Sequence, residues 1–237
     1  MSDTPMSDTL VLLPGLLNDA ELYVHQRQGL ADLVDTILIP DLTRAETMED
    51  LAREVLAQAP DRFALAGLSM GGYVAQEVFR QAPERIERLA LMDTSARPDS
   101  PEQRRRRTGL IELSEKGRFK GVTPRLLPML IHPSRMEDQP LVDSIFAMAS
   151  RIGQAGFVRQ QRAILSRADS RELLRTVSVP TLIMVGDSDQ LTPPQLAEEM
   201  AGLIAGAELI VVKECGHLPV LEHPKLATTA LREWLGA

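Results

Sequence analysis

The stretch Phe63-Ala-Leu-Ala-Gly-Leu-Ser-Met-Gly-Gly-Tyr-Val-Ala-Gln-Glu-Val-Phe79 places two elements of different periodicity around one serine. It begins with an apolar run typical of a strand that is buried on both faces. Apolar side chains then recur at helical spacing, so we expect a helix to follow. Between the two lies a Gly-x-Ser-x-Gly pentapeptide, Gly67 to Gly71. Its glycines permit a tight strand-to-helix turn that projects the Ser69 hydroxyl.

The pentapeptide alone is also typical of an ordinary turn between a strand and a helix, because glycine and serine are common residues. A serine hydroxyl becomes a nucleophile when a histidine accepts its proton and a carboxylate orients that histidine. The functional interpretation therefore depends on finding a base and an acid elsewhere in the chain. If they are present, the amide of Met70, at the positive end of the helix, is a candidate oxyanion donor.

Composition indicates a globular protein of ordinary type. The chain has 237 residues, of which 44% are hydrophobic and 25% charged, and this length suits a single α/β domain with an insertion. The formal net charge of -7 argues against nucleic acid as the main partner. A single cysteine, Cys215, excludes an internal disulfide, and no cysteine spacing resembles a metal site. We expect no metal and no cofactor.

The beginning of the chain carries no targeting signal that we recognise. Residues 1–9 are polar and acidic, whereas a signal peptide has a basic and then an apolar start. No later apolar run is long enough to span a bilayer. We therefore expect a cytoplasmic protein without stable membrane insertion.

Short apolar runs alternate with helical patterns over most of the chain. We predict strands at residues 10–13, 36–39, 63–68, 86–92, 179–185 and 208–212. This alternation predicts an α/β fold with a doubly wound, mostly parallel sheet and right-handed crossovers. Ligands of such sheets bind beyond the carboxyl ends of the strands. Ser69, Asp41, Asp93 and the loop at Gly15 should therefore cluster at one edge.

The strand pattern stops between residues 97 and 169. Ser100-Pro101 is a strong helix start, Asp138 begins another helix, and Gly153 should end that helix before a further one. This segment carries 14 Lys and Arg against 8 Asp and Glu, whereas the rest of the chain carries 12 against 25. We predict an α/β core formed by residues 1–96 and 170–237, with residues 97–169 as an all-helical lid insertion over the site. We expect the run Arg104 to Arg107 to form a solvated face of the lid that pairs with the acidic core, with recognition of an anionic substrate or membrane as the alternative.

The base and the acid follow later in the chain, in the order Ser69, Asp189, His217. With this order the chain resembles a serine hydrolase of the α/β-hydrolase superfamily, from about residue 10 to residue 234. The segments that carry the resemblance are 67–71, 179–193 and 216–224.

The resemblance implies a role for particular residues. Ser69 is the nucleophile, His217 the base, and Asp189, three residues after the glycine that ends its strand, the acid. Asp187 is the competing acid, with turn capping as its other interpretation, and Asp93 is a weaker alternative because some family members carry the acid at that strand.

The resemblance also implies an oxyanion hole formed by the amides of Leu16 and Met70. Many relatives have His-Gly where this chain has Pro14-Gly15, a change that keeps the amide but removes contacts of the missing histidine. After Asp41, residues 42–45 replace a common glycine-rich motif, which weakens any inference of substrate from a subfamily.

The activity implied is hydrolysis of carboxylic esters with small or medium acyl and alcohol groups, through an acyl-enzyme and without a cofactor. The expected partner is a small-molecule ester, and no oligomeric state is predicted. A lactone (enol-lactone) hydrolase, a C–C bond hydrolase and a perhydrolase would use the same triad. A ligand-binding protein of this fold without catalysis is a further alternative, disfavoured because all three triad residues are present.

Overall fold

A computed structural model describes residues 8–236, and the prediction about the first residues of the chain therefore lies largely outside the described part. Six strands form one sheet in the order β2-β1-β3-β4-β5-β6, and every neighbouring pair is parallel. This confirms the doubly wound parallel sheet. The strands are β1 (Thr9–Leu13), β2 (Thr36–Leu38), β3 (Phe63–Leu68), β4 (Ile86–Met92), β5 (Thr181–Gly186) and β6 (Glu208–Val212).

Helices cover both faces of the sheet. They are α1 (Val24–Gly29), α2 (Met48–Gln58), α3 (Met70–Gln81), α4 (Pro101–Leu113), α5 (Gln139–Leu165), α6 (Arg171–Leu174), α7 (Pro194–Leu203), α8 (Pro219–Glu222) and α9 (Pro224–Gly236). Alternate residues of a strand point to opposite faces, so β1 supplies two separate cores. Leu10 and Leu12 pack toward α9, whereas Val11 and Leu13 pack toward α2 and α3.

Local capping chemistry explains where several helices begin. The Thr47 hydroxyl accepts a hydrogen bond from the Asp50 amide at the start of α2. At α4, Ser100 and Gln103 form a reciprocal capping box, and Pro101 occupies the first turn. The start at Ser100 agrees with the sequence pattern.

Between residues 97 and 169 the described structure contains helices and turns but no strand. The helix breaks at Gly153, where φ is 65°, so the two helices expected on either side of this glycine are the halves of one kinked run, α5. Gly117, with φ of 74°, lies in the irregular turn that follows α4. The assignment of the segment as a separate lid stays a prediction.

Within residues 8–236, no helix combines the length and the apolar character that a bilayer crossing requires.

Salt bridges join the basic segment to the acidic remainder of the chain. The pairs are Arg97–Glu199, Arg151–Asp19 and Arg162–Glu46. In the run from Arg104 to Arg107 the first three side chains are exposed, as expected of a solvated face, but the expected pairing with the core is not what Arg104, Arg105 and Arg107 form. Its arginines bind partners inside the segment: the Leu165 carbonyl, Glu102, Asp99 and Gln161.

Candidate active site

The turn between β3 and α3 holds Ser69 in a strained conformation. Ser69 has φ of 56° and ψ of -115°, a combination that few non-glycine residues adopt. Close backbone contacts enforce the turn, since a β-carbon on Gly71 would lie 2.0 Å from the Leu13 carbonyl oxygen. The Ser69 amide donates to the Met92 carbonyl at 2.9 Å, which fastens the turn to β4. The serine is thus held at the carboxyl edge of the sheet.

A continuous chain of hydrogen bonds joins Ser69, His217 and Asp189. The distance from Ser69 Oγ to His217 Nε2 is 2.8 Å, and that from His217 Nδ1 to Asp189 Oδ2 is also 2.8 Å. The histidine and the aspartate are each only 3% exposed. In the neutral tautomer that carries its proton on Nδ1, the imidazole donates to Asp189 and leaves Nε2 free to accept the Ser69 proton.

The surroundings of Asp189 keep its carboxylate ionised. Burial acts to raise its pKa, but the charge of His217 and hydrogen bonds from His217 and Thr192 outweigh this and hold the pKa below its usual value. The Thr192 hydroxyl donates to Oδ2 at 2.6 Å, and the Leu191 and Thr192 amides donate to Oδ1 at 2.8 and 3.1 Å. These donors leave one orientation for the carboxylate, the one that faces the imidazole.

Asp187, the competing acid, has other partners. Its carboxylate accepts hydrogen bonds from the Ser188 hydroxyl and the Cys215 amide, and it lies 3.7 Å from the Lys213 ammonium. This is the turn-capping arrangement that formed the alternative interpretation of Asp187. The geometry therefore favours Asp189 as the partner of the histidine.

Asp93 lies behind the Asp189–His217 pair, with φ of 42°. Its Oδ1 accepts a hydrogen bond from the Gly186 amide at 2.9 Å, and one carboxylate oxygen lies within 4.8 Å of ligand atoms of Asp189 and His217. Burial, together with the nearby charge of Asp189, raises the pKa of Asp93 well above its ordinary value. The carboxylate at hydrogen-bond distance from His217 Nδ1 is that of Asp189, not Asp93. Because both ring nitrogens of His217 are already engaged, this trio also offers no free imidazole ligand to a metal ion.

A buried glutamate shapes the loop that carries His217. Glu222 is fully buried in α8, and its carboxylate accepts hydrogen bonds from the amides of Gly216, Leu218 and His132. The sequence did not predict this role, although a charged residue inside an otherwise apolar turn was a detectable signal.

Nearby, burial raises the pKa of the Cys215 thiol, so this cysteine is a packed side chain rather than a second nucleophile.

The loop after β1 lies directly against the serine. A β-carbon on Gly15 would lie 3.3 Å from the Ser69 β-carbon, so the loop passes close to the hydroxyl. The roles of Leu16 and Met70 as oxyanion donors stay predictions. Asp41, expected at this edge, uses its carboxylate to bind Thr43 and Arg44.

Comparison with known proteins finds a family model, curated relatives and solved structures that this chain resembles. The sequence model of the "Alpha/beta hydrolase family" matches residues 10–230. A pimeloyl-[acyl-carrier protein] methyl ester esterase of Aliivibrio fischeri is 29% identical, over 91% of this chain and 85% of that protein. A Neisseria meningitidis protein of the same name is 26% identical, over 79% of this chain and 62% of that protein, so the chain spans less than two thirds of its length.

A solved structure shows the same architecture. A thermophilic esterase from Thermogutta terrifontis, determined with malate bound, superimposes with a TM-score of 0.87 and 32% sequence identity. The superposition covers 99% of this chain and 91% of the esterase.

Proposed function

Because the chain belongs to the alpha/beta hydrolase family, we propose that it hydrolyses carboxylic esters through Ser69, His217 and Asp189. The observation that carries the proposal is the unbroken hydrogen-bond chain from the serine hydroxyl through the imidazole to the carboxylate. Ester hydrolysis is also the activity in the names of the relatives described above. The substrates are esters with small or medium acyl and alcohol groups.

In the acylation step, Ser69 Oγ attacks the ester carbonyl carbon while His217 Nε2 accepts the hydroxyl proton. The imidazolium that forms is stabilised by the ionised Asp189 carboxylate at 2.8 Å. Collapse of the tetrahedral intermediate breaks the bond to the alcohol, which takes the proton from Nε2. Water then attacks the acyl-enzyme with the same base, and the carboxylic acid leaves Ser69 free.

The negative charge on the carbonyl oxygen requires two amide donors. Met70 begins α3, where the first amides of a helix have no partner within the helix, and Leu16 follows the glycine that contacts Ser69. These positions on either side of the serine support the two amides as the oxyanion hole.

The helical segment, residues 97–169, supports a lid role through its contact with the histidine loop. The His217 amide donates to the Leu130 carbonyl at 2.9 Å, and a β-carbon on Gly216 would lie 2.8 Å from the backbone of Ile131. We therefore propose that this segment bounds the substrate site. The cytoplasmic location and the lack of a cofactor remain predictions from the sequence.

A fluorophosphonate probe tests the nucleophile directly. We expect peptide mass mapping to find the adduct on Ser69, whereas folded protein that carries no adduct there contradicts the proposal.

Ser69→Ala should lower kcat on p-nitrophenyl esters by about 10⁴–10⁶-fold. Ser188→Ala is the matched control, because its hydroxyl bonds to the neighbouring Asp187 rather than to the histidine, and it should keep wild-type turnover.

The substrate class is tested with a panel of p-nitrophenyl esters of graded acyl length, enol-lactones and vinylogous diketones. We expect turnover to be highest on esters of short or medium chains. A kcat/KM on a lactone or a diketone that exceeds that on every ester would replace the esterase assignment while keeping the same three residues.

A further inference from the structure

Leu17 adopts a backbone conformation that leucine rarely takes. It follows Leu16, the proposed oxyanion donor, and its φ is 60°. In the left-handed region the β-carbon crowds the backbone, so such a residue stays there only when surrounding contacts hold it. The loop geometry beside Ser69 therefore depends on groups outside the loop.

One of these groups is Gln160, in the second half of α5. Its Oε1 accepts a hydrogen bond from the Leu17 amide at 3.0 Å, across 143 residues of sequence. The side chain is fully buried, and within the described residues its Nε2 has no hydrogen-bond partner. A buried side-chain NH₂ group without a partner lowers the stability of the folded protein. The hydrogen bond that Oε1 accepts from the Leu17 amide is therefore the contact that suggests a role for this side chain.

The first half of α5 holds the same loop from another side. The Arg151 guanidinium binds both oxygens of the Asp19 carboxylate, at 2.6 and 3.0 Å. The Leu17 side chain is buried in a small apolar cluster with Ala149 of this half and Phe157 of the second half of α5. The kink at Gly153 separates Arg151 from Gln160. The two halves of α5 therefore contact the loop from either side of the bend.

We propose that Gln160 is a positioning residue for the oxyanion hole. Its bond fixes the peptide plane between Leu16 and Leu17, and this plane anchors the preceding one, between Gly15 and Leu16, which carries the Leu16 N–H. Rotation of this plane changes ψ of Leu16 and φ of Leu17 together, and the bond from the Leu17 amide to Gln160 prevents it. The helical segment then completes the catalytic site in addition to covering it. This inference rests on the proposed function, because it assumes that the Leu16 amide binds the oxyanion.

Gln160→Met tests the inference, since methionine has a similar length but no acceptor for the Leu17 amide. Removing an oxyanion donor lowers kcat by about 10²–10³-fold, and loosening one should lower it by roughly 10–100-fold. We expect KM to change less than about twofold, because the oxyanion forms only after substrate binding. The affinity for a trifluoromethyl ketone, whose adduct with serine carries an oxyanion, should fall by the same factor as kcat.

Gln161→Met is the matched control. Gln161 is the neighbouring buried glutamine of α5, and its Oε1 accepts from the Arg107 guanidinium at 2.8 Å rather than from the loop. This variant should keep kcat within about threefold of wild type even where its melting temperature falls. Equal losses of kcat in the two variants, or a loss of stability in Gln160→Met with unchanged kcat, would overturn the positioning role.

Hydrogen exchange of the wild-type protein provides a readout that needs no variant. The Leu17 amide, bonded to a buried acceptor, should exchange slowly, and rapid exchange would contradict the inference even if Gln160→Met and Gln160→Ala fail to fold.

Ser69→Ala distinguishes a failure of the proposed function from a failure of the positioning role. If it stays active, the proposed function fails; if it is inactive while Gln160→Met matches wild type, only the positioning role fails.

Discussion

The sheet and the helical segment hold the candidate site by different kinds of contact. At the sheet edge, Ser69 is fixed by main-chain atoms, through its bond to the Met92 carbonyl and the close approach of Gly71 to Leu13. The helical segment is fastened largely by side chains, among them Gln160, which binds the Leu17 amide, and Arg167, which lies over the Tyr73 ring. Main-chain geometry persists wherever the sheet forms, whereas each side-chain contact depends on a single residue. The position of Ser69 should therefore tolerate substitutions elsewhere, whereas single substitutions can weaken the attachment of the segment.

The largest expected effect lies at the sheet edge. Asp189→Asn should lower kcat on p-nitrophenyl acetate by about 10⁴-fold, because the amide no longer favours the tautomer and the imidazolium that the reaction needs. Asp187→Asn is the control, since Asp187 caps a turn, and it should change kcat less than about threefold. A large loss in Asp187→Asn together with a small one in Asp189→Asn would exchange the two roles.

The next effect concerns the root of the helical segment. Asp99 pairs with Arg107 and Arg167 at 2.8 Å, and the Arg167 guanidinium stacks 4.1 Å from the Tyr73 ring of α3. Asp99→Ala leaves Arg167 buried without its anion, and we expect the free energy of unfolding to fall by about 3–5 kcal/mol in urea titrations. Cleavage of the segment by trypsin should accelerate with it.

An exposed pair on the same helix supplies the control for this substitution. Glu102 pairs with Arg105, and both side chains are more than two thirds exposed. Glu102→Ala should therefore lower the free energy of unfolding by less than about 1 kcal/mol. If Asp99→Ala is equally mild, the buried contacts are not what fastens the segment.

Substitution of Asp93, in the core, should have a smaller effect on stability, and it should stabilise the protein rather than destabilise it. Burial and the charge of Asp189 raise its pKa in the folded protein, so between the unfolded value, about 3.9, and the folded one the unfolded chain binds fewer protons. Its contribution to stability therefore declines as pH rises through this window. Asp93→Asn removes the ionisation and keeps an acceptor for the Gly186 amide.

Thermal unfolding across pH checks this prediction. We expect Asp93→Asn to raise the melting temperature at pH 8, by roughly 2–4 °C for each kcal/mol gained, and to have little effect near pH 3. A variant that is less stable than wild type at pH 8 would show that Asp93 is needed as an anion.

The smallest effect lies on the outer surface of the helical segment. Arg162 binds Glu46 at 2.6 Å, but both side chains are more than two fifths exposed. A double-mutant cycle of Arg162→Ala and Glu46→Ala should give a coupling of about 0.2–1 kcal/mol at low salt. In 1 M NaCl the coupling should largely vanish because exposed charges are screened. A larger, salt-resistant coupling would mean that the outer contacts also fasten the segment.

Sequence patterns predict the regular elements well where the controlling interactions are local. The helix start at Ser100 and the break at Gly153 depend on residues within a few positions of the affected backbone. The helix α8 was not predicted, because it is only four residues long and lies in a loop that Glu222 organises through buried hydrogen bonds.

The sequence by itself determined the alternation of strands and helices, the sharp turn at Ser69, and the order in which serine, aspartate and histidine follow. These features depend on residue type and spacing along short stretches. The family resemblance favoured Asp189 over Asp187, but only the tertiary structure shows that Asp189 contacts His217 and that Gln160 reaches the Leu17 amide. Such contacts join residues that lie far apart in the chain. They depend on how strands and helices pack side by side, which no local pattern specifies.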